Sequence, residues 1–464
     1  GVLSCALIEA ICDSGISKEI ELVAYDRDPR MVHVANFTFR RLQRLCRLKQ
    51  VSMKYKVFEQ DFTDRANSRQ KGLSSSSVIE DELFDIVICN PPYLALKKNG
   101  SYADAANSVG AGTSNTYALF MMLSAYMLSE AGQLIFITPR SFCSGQYFAR
   151  FRTEFFRIMC PTHLHIFDSR TDAFAKDSVL QENIVLKAIK EARSNSLSSV
   201  QTVTVSVSDG KSDILQLKSR EVPIDVVVDT RSPIMPLRIP ATQEDEKVVE
   251  IVDAWPRRLG NVGLHVSTGP VVAYRASKYL HKHEDPSEIS RLVPLLWGHH
   301  VTPMSVRWPI ENGRNKPQAI AKEAEKERML VRNATYVLVR RFSAKEDAAR
   351  LIAAVMTSEM FPRYKHIGLE NHLNYIYRTS SEFAKEEATG IALLLNSSLM
   401  DRYFRILNGN TQVSASELRS FPLPSHESVV SLGKAWLEAE SKQKPCMIDR
   451  LLTEILGVPV NGTL

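Results

Sequence analysis

The 464-residue chain is long enough for two or three domains with separate cores, and its make-up, 44% hydrophobic and 24% charged, is that of an ordinary globular protein. Its formal net charge of +6 suits a polyanionic partner without demanding one, and no apolar run reaches the roughly 18 residues of a membrane-spanning helix. Seven cysteines (Cys5, Cys12, Cys46, Cys89, Cys143, Cys160, Cys446), without CxxC or Cys/His spacing, argue against a structural zinc and for reduced thiols in a cytoplasmic protein, so neither a metal nor a membrane partner is expected.

The chain opens on "GVLSCALIEAICDSG", without Met, and reads as starting inside a glycine-rich turn with an apolar helix over Val2–Ile11. "IELVAYDRD" (Ile20–Asp28) predicts a strand with an acidic end, and Pro29 opens the helix that follows. "YKVFEQDF" predicts a short strand ending at Asp61, and the Ser-rich residues 64–80 a surface loop. Asp85–Cys89 is an apolar β-branched run, a strand buried on both faces. A helix over Ser114–Gly132, stopped by Gly132, leads to the strand "QLIFITP", and "HLHIFDS" and "ENIVLKAI" supply two more strands. Strands alternating with helices predict an α/β fold with a parallel, doubly wound sheet. Beyond residue 193 come hairpin-like strands and a Pro-rich connector. A boundary near residue 235 separates domains 1–235 and 236–464, the second a mixture of short β runs ("YVLVRRF", "LNYIYR"), basic residues and a helix over "TGIALLLNSSLMDRYFRI".

The stretch "DIVICNPPY" (Asp85–Tyr93) carries the chemistry. Pro91 and Pro92 end the strand and hold Asn90 and Tyr93 on a stiff loop at its carboxyl end, where open α/β sheets bind ligands. An amino group conjugated to an aromatic ring is a poor nucleophile because its lone pair is delocalised. Two acceptors on its N–H groups, the Asn90 side-chain carbonyl and the Pro91 backbone carbonyl, would localise that lone pair and aim it, and Tyr93 would stack on the base outside the duplex. Asp26, at a strand end, is placed for ribose hydroxyls or, with Asp28, for capping the next helix. Both roles can hold, with Asp28 capping and Asp26 binding. Asp61 and Phe62 could bond and pack an adenine, or Asp61 could sit in a plain turn.

On these residues the chain resembles the adenine-specific DNA methyltransferases of the γ type, and most of all the modification methylases related to Eco57I and to PstI and BsuBI. The likeness runs along most of the chain, from "GVLSCALIEA", similar to the tail of the cofactor loop D-P-x-x-G-x-G-x-[FL] and its helix, through "DIVICNPPYLA" and "NTYALFMMLSAYMLSEAGQLIFITPRSF", to "NGNTQVSASELRSFPLP" (Asn408–Pro424), similar to a segment of target recognition regions. The resemblance implies a Rossmann-like class I methyltransferase domain at 1–235 followed by a mixed α+β target recognition domain at 236–464. It implies S-adenosyl-L-methionine bound by Gly1, Asp26, Asp61, Phe62 and Asn90, and methyl transfer to the N6 of a flipped adenine at Asn90, Pro91, Pro92 and Tyr93, with Phe174 as a second aromatic on the base. It further implies double-stranded DNA as partner, possession of a cognate restriction endonuclease for the same site, and a monomer. Because the aspartate and first glycine of that loop lie upstream of Gly1, weak cofactor binding or none is expected of the chain as given. Arg275, Arg307, Arg332, Arg340, Arg341, Lys365 and Arg378 stand as candidates for phosphates or guanine edges, each with the alternative of a solvated charged face.

The same loop chemistry serves methyltransferases acting on release-factor glutamine or ribosomal RNA, which lack such a long carboxyl-terminal region. A non-catalytic DNA-binding remnant is the reading from another class, against which the intact Asn90–Tyr93 loop argues. No carboxylate-carboxylate-lysine nuclease pattern is found.

Overall fold

The computed structural model describes residues 1–64, 83–97, 99–110, 112–113, 115–167, 182–191, 201–208, 217–232, 234–281, 291–310, 316–343, 347–379, 381–409, 411–439 and 446–459. It divides into two compact units, one of Gly1–Phe142 with Tyr147–Met235, the other of Cys143–Gln146 with Pro236–Leu464.

In the first unit, helix α1 (Val2–Ser14) ends at Gly15, whose left-handed φ of 66° returns its N–H to Ile11. Strand β1 (Glu19–Asp26) is followed by α2 (Pro29–Leu48), which has Pro at its first position and Asp28 accepting from Arg30 N at 2.9 Å, so Asp28 does cap this helix. The inner face of α2 buries Phe39, Leu42 and Cys46 against Ile8 of α1 and against Val51 and Met53, the latter in β2 (Ser52–Glu59). β1 and β2 pair in parallel from Glu19↔Ser52 to Asp26↔Glu59, which brings their carboxyl ends side by side.

The remaining strands of this unit are β3 (Phe84–Cys89), β4 (Leu128–Pro139), β5 (Met159–Phe167), β6 (Asn183–Lys190), β7 (Thr202–Ser208) and β8 (Lys218–Pro223). They form one sheet in the order β3-β4-β6-β5-β7-β8. The sheet is mixed rather than parallel: β3 with β4 and β5 with β7 run parallel, but β6 is antiparallel to both neighbours and β8 antiparallel to β7. The alternation of buried and half-buried residues along β6 from Ile184 to Ile189 is the period-two pattern of antiparallel pairing rather than the continuous apolar run of a parallel strand.

Two helices precede β4: α3 (Ser101–Ser108), which the sequence reading missed, and α4 (Thr116–Met127). The predicted helix stop at Gly132 is wrong. α4 ends at Met127 and β4 starts at once, because Leu128 pairs with Phe84 and the ladder then slips before Ile86↔Gln133. Ala131 takes up the irregularity with φ 61°, and a Cβ on Gly132 would lie 2.8 Å from Ser129 O and 3.0 Å from Phe84 O, so the glycine marks a close backbone approach and not a cap.

The second unit holds a four-stranded antiparallel sheet of Leu264–Thr268, Leu373–Arg378, Tyr336–Arg340 and Ala353–Met356 in that spatial order, and a mixed five-stranded sheet that includes Leu292–Leu296 and His366–Leu369. The single helix expected over Thr389–Ile406 is two, Lys385–Asn396 and Ser398–Leu407, broken at the buried Ser397, whose hydroxyl caps Met400 N at 3.2 Å. The Asn408–Pro424 segment builds core. Val413, Leu418, Phe421 and Leu423 are buried, and Ser414 with Glu417 forms a capping box at Ala415–Ser420.

Candidate active site

The N-P-P-Y loop leaves the carboxyl end of β3 and is fastened at three points. The Tyr93 hydroxyl is 2.8 Å from Asn90 Oδ1 and 3.1 Å from Ile137 O of β4. Thr116, the buried first residue of α4, donates its hydroxyl to Pro92 O and accepts from Leu94 N at 3.0 Å, and Thr116 N donates to Leu94 O at 2.9 Å. The Tyr93 ring meets Tyr117 edge-on at 6.2 Å, and Tyr117 is held in turn by Ser141 Oγ at 2.8 Å. With Pro92 O occupied, Pro91 O receives no hydrogen bond among the described residues. Asn90 Oδ1 keeps one lone pair beyond the Tyr93 hydroxyl. The arrangement is thus a rigid pair of carbonyls with spare acceptor capacity beside a half-buried aromatic ring. Burial and the neighbouring Cys89 push the Tyr93 phenol up to about 12, so it stays protonated and keeps donating.

The acidic strand ends lie next to one another. Gln60 N donates to Asp26 O at 3.0 Å, directly after the Asp26↔Glu59 pair. Asp26 Oδ1 accepts from Asp28 N at 2.9 Å, while its Oδ2 has no hydrogen bond among the described residues. Asp61 Oδ1 accepts from Thr63 N at 3.0 Å and Thr63 Oγ1 at 2.8 Å, and Oδ2 from the hydroxyl of Tyr102 on α3. Burial opposes the charge on Asp61, but these donors and the Arg27 charge more than offset it and hold the carboxyl below its usual range. Phe62 packs on Phe120 of α4 at 5.0 Å and on Tyr25 at 5.9 Å. Tyr102 and Phe120 therefore tie the end of β2 to the two helices that follow the N-P-P-Y loop, which brings Asp61 and Phe62 into its neighbourhood. Gly1 is the N-cap of α1 and stands beside Phe39 of α2. Phe174 lies outside the described residues.

Sequence reasoning missed Tyr102, Thr116 and Tyr117. The signal for the latter two was present, since a Thr-Tyr pair opens an otherwise apolar helix only where its hydroxyls have partners. Tyr102 carried none, because its partner is 41 positions away.

Of the basic candidates in the second unit, Arg275, Arg307, Arg332 and Lys365 are exposed. Arg378 is not available to a ligand: it binds Glu387 Oε1 at 2.7 Å and Oε2 at 3.0 Å in a pair whose side chains are 15% and 5% exposed. Arg340 and Arg341 donate to Val301 O (2.7 Å) and Asn371 O (3.1 Å). Among the described residues no cluster of His, Cys, Asp or Glu could hold a metal, and no helix is long and apolar enough to cross a membrane.

A family model described as the Eco57I restriction-modification methylase matches residues 21–174. The type II methyltransferase M.BsuBI of Bacillus subtilis is 35% identical over 377 residues, 81% of this chain and 72% of that protein. The type II methyltransferase M.PstI of Providencia stuartii is 30% identical over 460 residues, 98% of this chain and 86% of that protein. The chain is therefore a methyltransferase of the restriction-modification class, with S-adenosylmethionine as its methyl donor. It belongs to the family of type II methyltransferases that includes M.BsuBI and M.PstI. Among solved structures, the type IIG restriction endonuclease BpuSI aligns at a TM-score of 0.39 with 13% identity, over all of this chain and 63% of that one. A nuclease-deletion mutant of the Type ISP enzyme LlaGI aligns at 0.43 with 12% identity, over 93% and 50%. The chain spans less than two thirds of either, and alignments this loose carry no functional argument.

The residues present fit the cofactor. Asp26 Oδ2 is an open carboxylate oxygen for hydroxyl donors, and Asp61 Oδ2 keeps an acceptor position for an amine beside the apolar Phe62 ring.

Proposed function

We propose that the chain is a site-specific DNA methyltransferase that modifies the N6 of an adenine turned out of the duplex, with the first unit as a Rossmann-like class I catalytic domain and the second as the target recognition domain. The observation that carries this reading is the N-P-P-Y loop, where Asn90 Oδ1 and Pro91 O retain acceptor capacity while the Tyr93 hydroxyl and Pro92 O are engaged. Asn90 Oδ1 and Pro91 O accept hydrogen bonds from the two amino N–H groups of the base and draw its lone pair out of conjugation, and the Tyr93 ring supplies a face for stacking. Asp26 takes the ribose hydroxyls of the cofactor, and Asp61 and Phe62 its adenine. Bound there, the cofactor would supply an electrophilic methyl group to the nitrogen that Asn90 and Pro91 aim, its carbon–sulfur bond breaking to leave S-adenosylhomocysteine while the surplus amino proton is lost to water after transfer. Positioning does most of the work, because no proton has to be removed before attack. The relationship to type II methyltransferases extends over 98% of the chain, which favours DNA over a protein or ribosomal RNA substrate. The exposed Arg275, Arg307, Arg332 and Lys365 are the proposed phosphate and base contacts. A cognate restriction endonuclease acting on the same site, and a monomeric methyltransferase, complete the proposal. The test is to express the protein in a host free of DNA modification and sequence the genome for modified bases. N6-methyladenine at one recurrent motif is expected from the unmodified protein and none from Asn90→Ala.

A further inference from the structure

The Asp61 carboxylate shows how the cofactor pocket is tuned. A carboxylate offers about four lone-pair positions. Thr63 N (3.0 Å) and Thr63 Oγ1 (2.8 Å) fill both on Oδ1, and the Tyr102 hydroxyl fills one of the two on Oδ2. One acceptor position is left among the described residues. The Thr63 bonds are local, made within two residues by a buried side chain. Tyr102 is the distant donor. It stands nine residues beyond Tyr93 on the helix that follows the catalytic loop, and its bond fixes the rotation of the carboxylate about its last torsion. Phe62, held between Phe120 and Tyr25, fixes the plane of the neighbouring ring surface.

We infer that Tyr102 is a positioning residue for cofactor recognition: by filling one lone pair of Asp61 Oδ2 it aims the other at the exocyclic amine of the cofactor's adenine, and so sets selectivity for an aminopurine. The inference rests on the assignment of Asp61 to that adenine. Three fixed donors leave the carboxylate nothing to gain by turning, so a ligand with an amine at this position completes the set. One with a carbonyl oxygen there faces a carboxylate with no hydrogen to offer. Without the Tyr102 hydroxyl, Oδ2 has two open positions and water can satisfy either, so the distinction is blunted.

The test uses the full chain and calorimetric titration with S-adenosylhomocysteine and with its inosine counterpart, which carries a carbonyl in place of the amine. The unmodified protein is expected to favour the adenosine compound strongly. Tyr102→Phe, which keeps the ring, is expected to reduce that preference about fivefold, by weakening the adenosine compound while leaving the inosine compound unchanged. Asp61→Asn should abolish most of the preference. A merely structural Tyr102 would weaken both compounds together, and an unchanged ratio in a folded Tyr102→Phe protein overturns the inference while leaving the cofactor assignment intact. Binding of neither compound by the protein extended upstream of Gly1 to include the aspartate and first glycine of the cofactor loop overturns the cofactor assignment and this inference with it. Should Tyr102→Phe not fold, Thr63→Val opens a lone pair on the other oxygen, and must lower the ratio in the same direction for the inference to stand.

Discussion

At the scale of single residues, the site works by counting acceptors. Asn90 Oδ1 and Pro91 O keep spare acceptor capacity, so Asn90→Ala is predicted to reduce methyl transfer roughly a thousandfold, far more than it lowers cofactor affinity, a split read by comparing single-turnover rates with titration calorimetry. Thr116→Val removes the hydroxyl that holds Pro92 O and Leu94 N, and should lower the transfer rate about tenfold with little change in DNA affinity. Asp61 has a pKa below its ordinary value of 3.8, so its proposed contribution to cofactor binding is complete above that value and fades only as the pH falls through the lower folded one. Cofactor affinity measured by titration should therefore be flat across neutral pH, and a drop between about pH 6 and 7 would contradict the assigned charge. Asn90, Tyr93, Asp26 and Asp61 could be nominated from sequence because each is announced by a strand end, a proline pair or a spacing. Tyr102 could not, since nothing along the chain says that α3 returns to the end of β2.

Among elements, the close approaches are the least tolerant. Helices Lys385–Asn396 and His426–Glu438 touch backbone to backbone: a Cβ on Gly390 would sit 1.9 Å from Val429 O, and one on Gly433 1.8 Å from Glu386 O. Gly390→Ala or Gly433→Ala is predicted to destabilise this unit by about 3 kcal/mol, measured by denaturant unfolding. Ser414→Ala, which opens the capping box on Glu417, should cost about 1 kcal/mol by the same measurement. The strands β1 to β6 and the helices α1 and α2 were legible because their apolar runs and the Gly15 and Asp28 caps are local, and α4 was legible in its apolar run but not in its end. The mixed order of the six-stranded sheet, the bulge at Ala131 and the break at Ser397 were not, because each depends on a partner strand or helix distant in sequence.

For the whole molecule, the net charge of +6 matters only where its cations are free to meet a polyanion. Lys365→Ala is predicted to lower the salt dependence of DNA binding by about one ion without altering the recognition motif. Arg378→Ala should instead destabilise the fold by about 3 kcal/mol, since it leaves the buried Glu387 carboxylate with His426 Nδ1 at 3.4 Å in place of a two-pronged guanidinium. The central claim is that the N-P-P-Y loop methylates adenine N6 in DNA at a defined site. Single-molecule sequencing of DNA from a modification-free host expressing the protein tests this most directly. The account predicts N6-methyladenine at one recurrent motif, lost with Asn90→Ala. Methylation confined to cytosine, or a motif still modified by the Asn90→Ala protein, would contradict it.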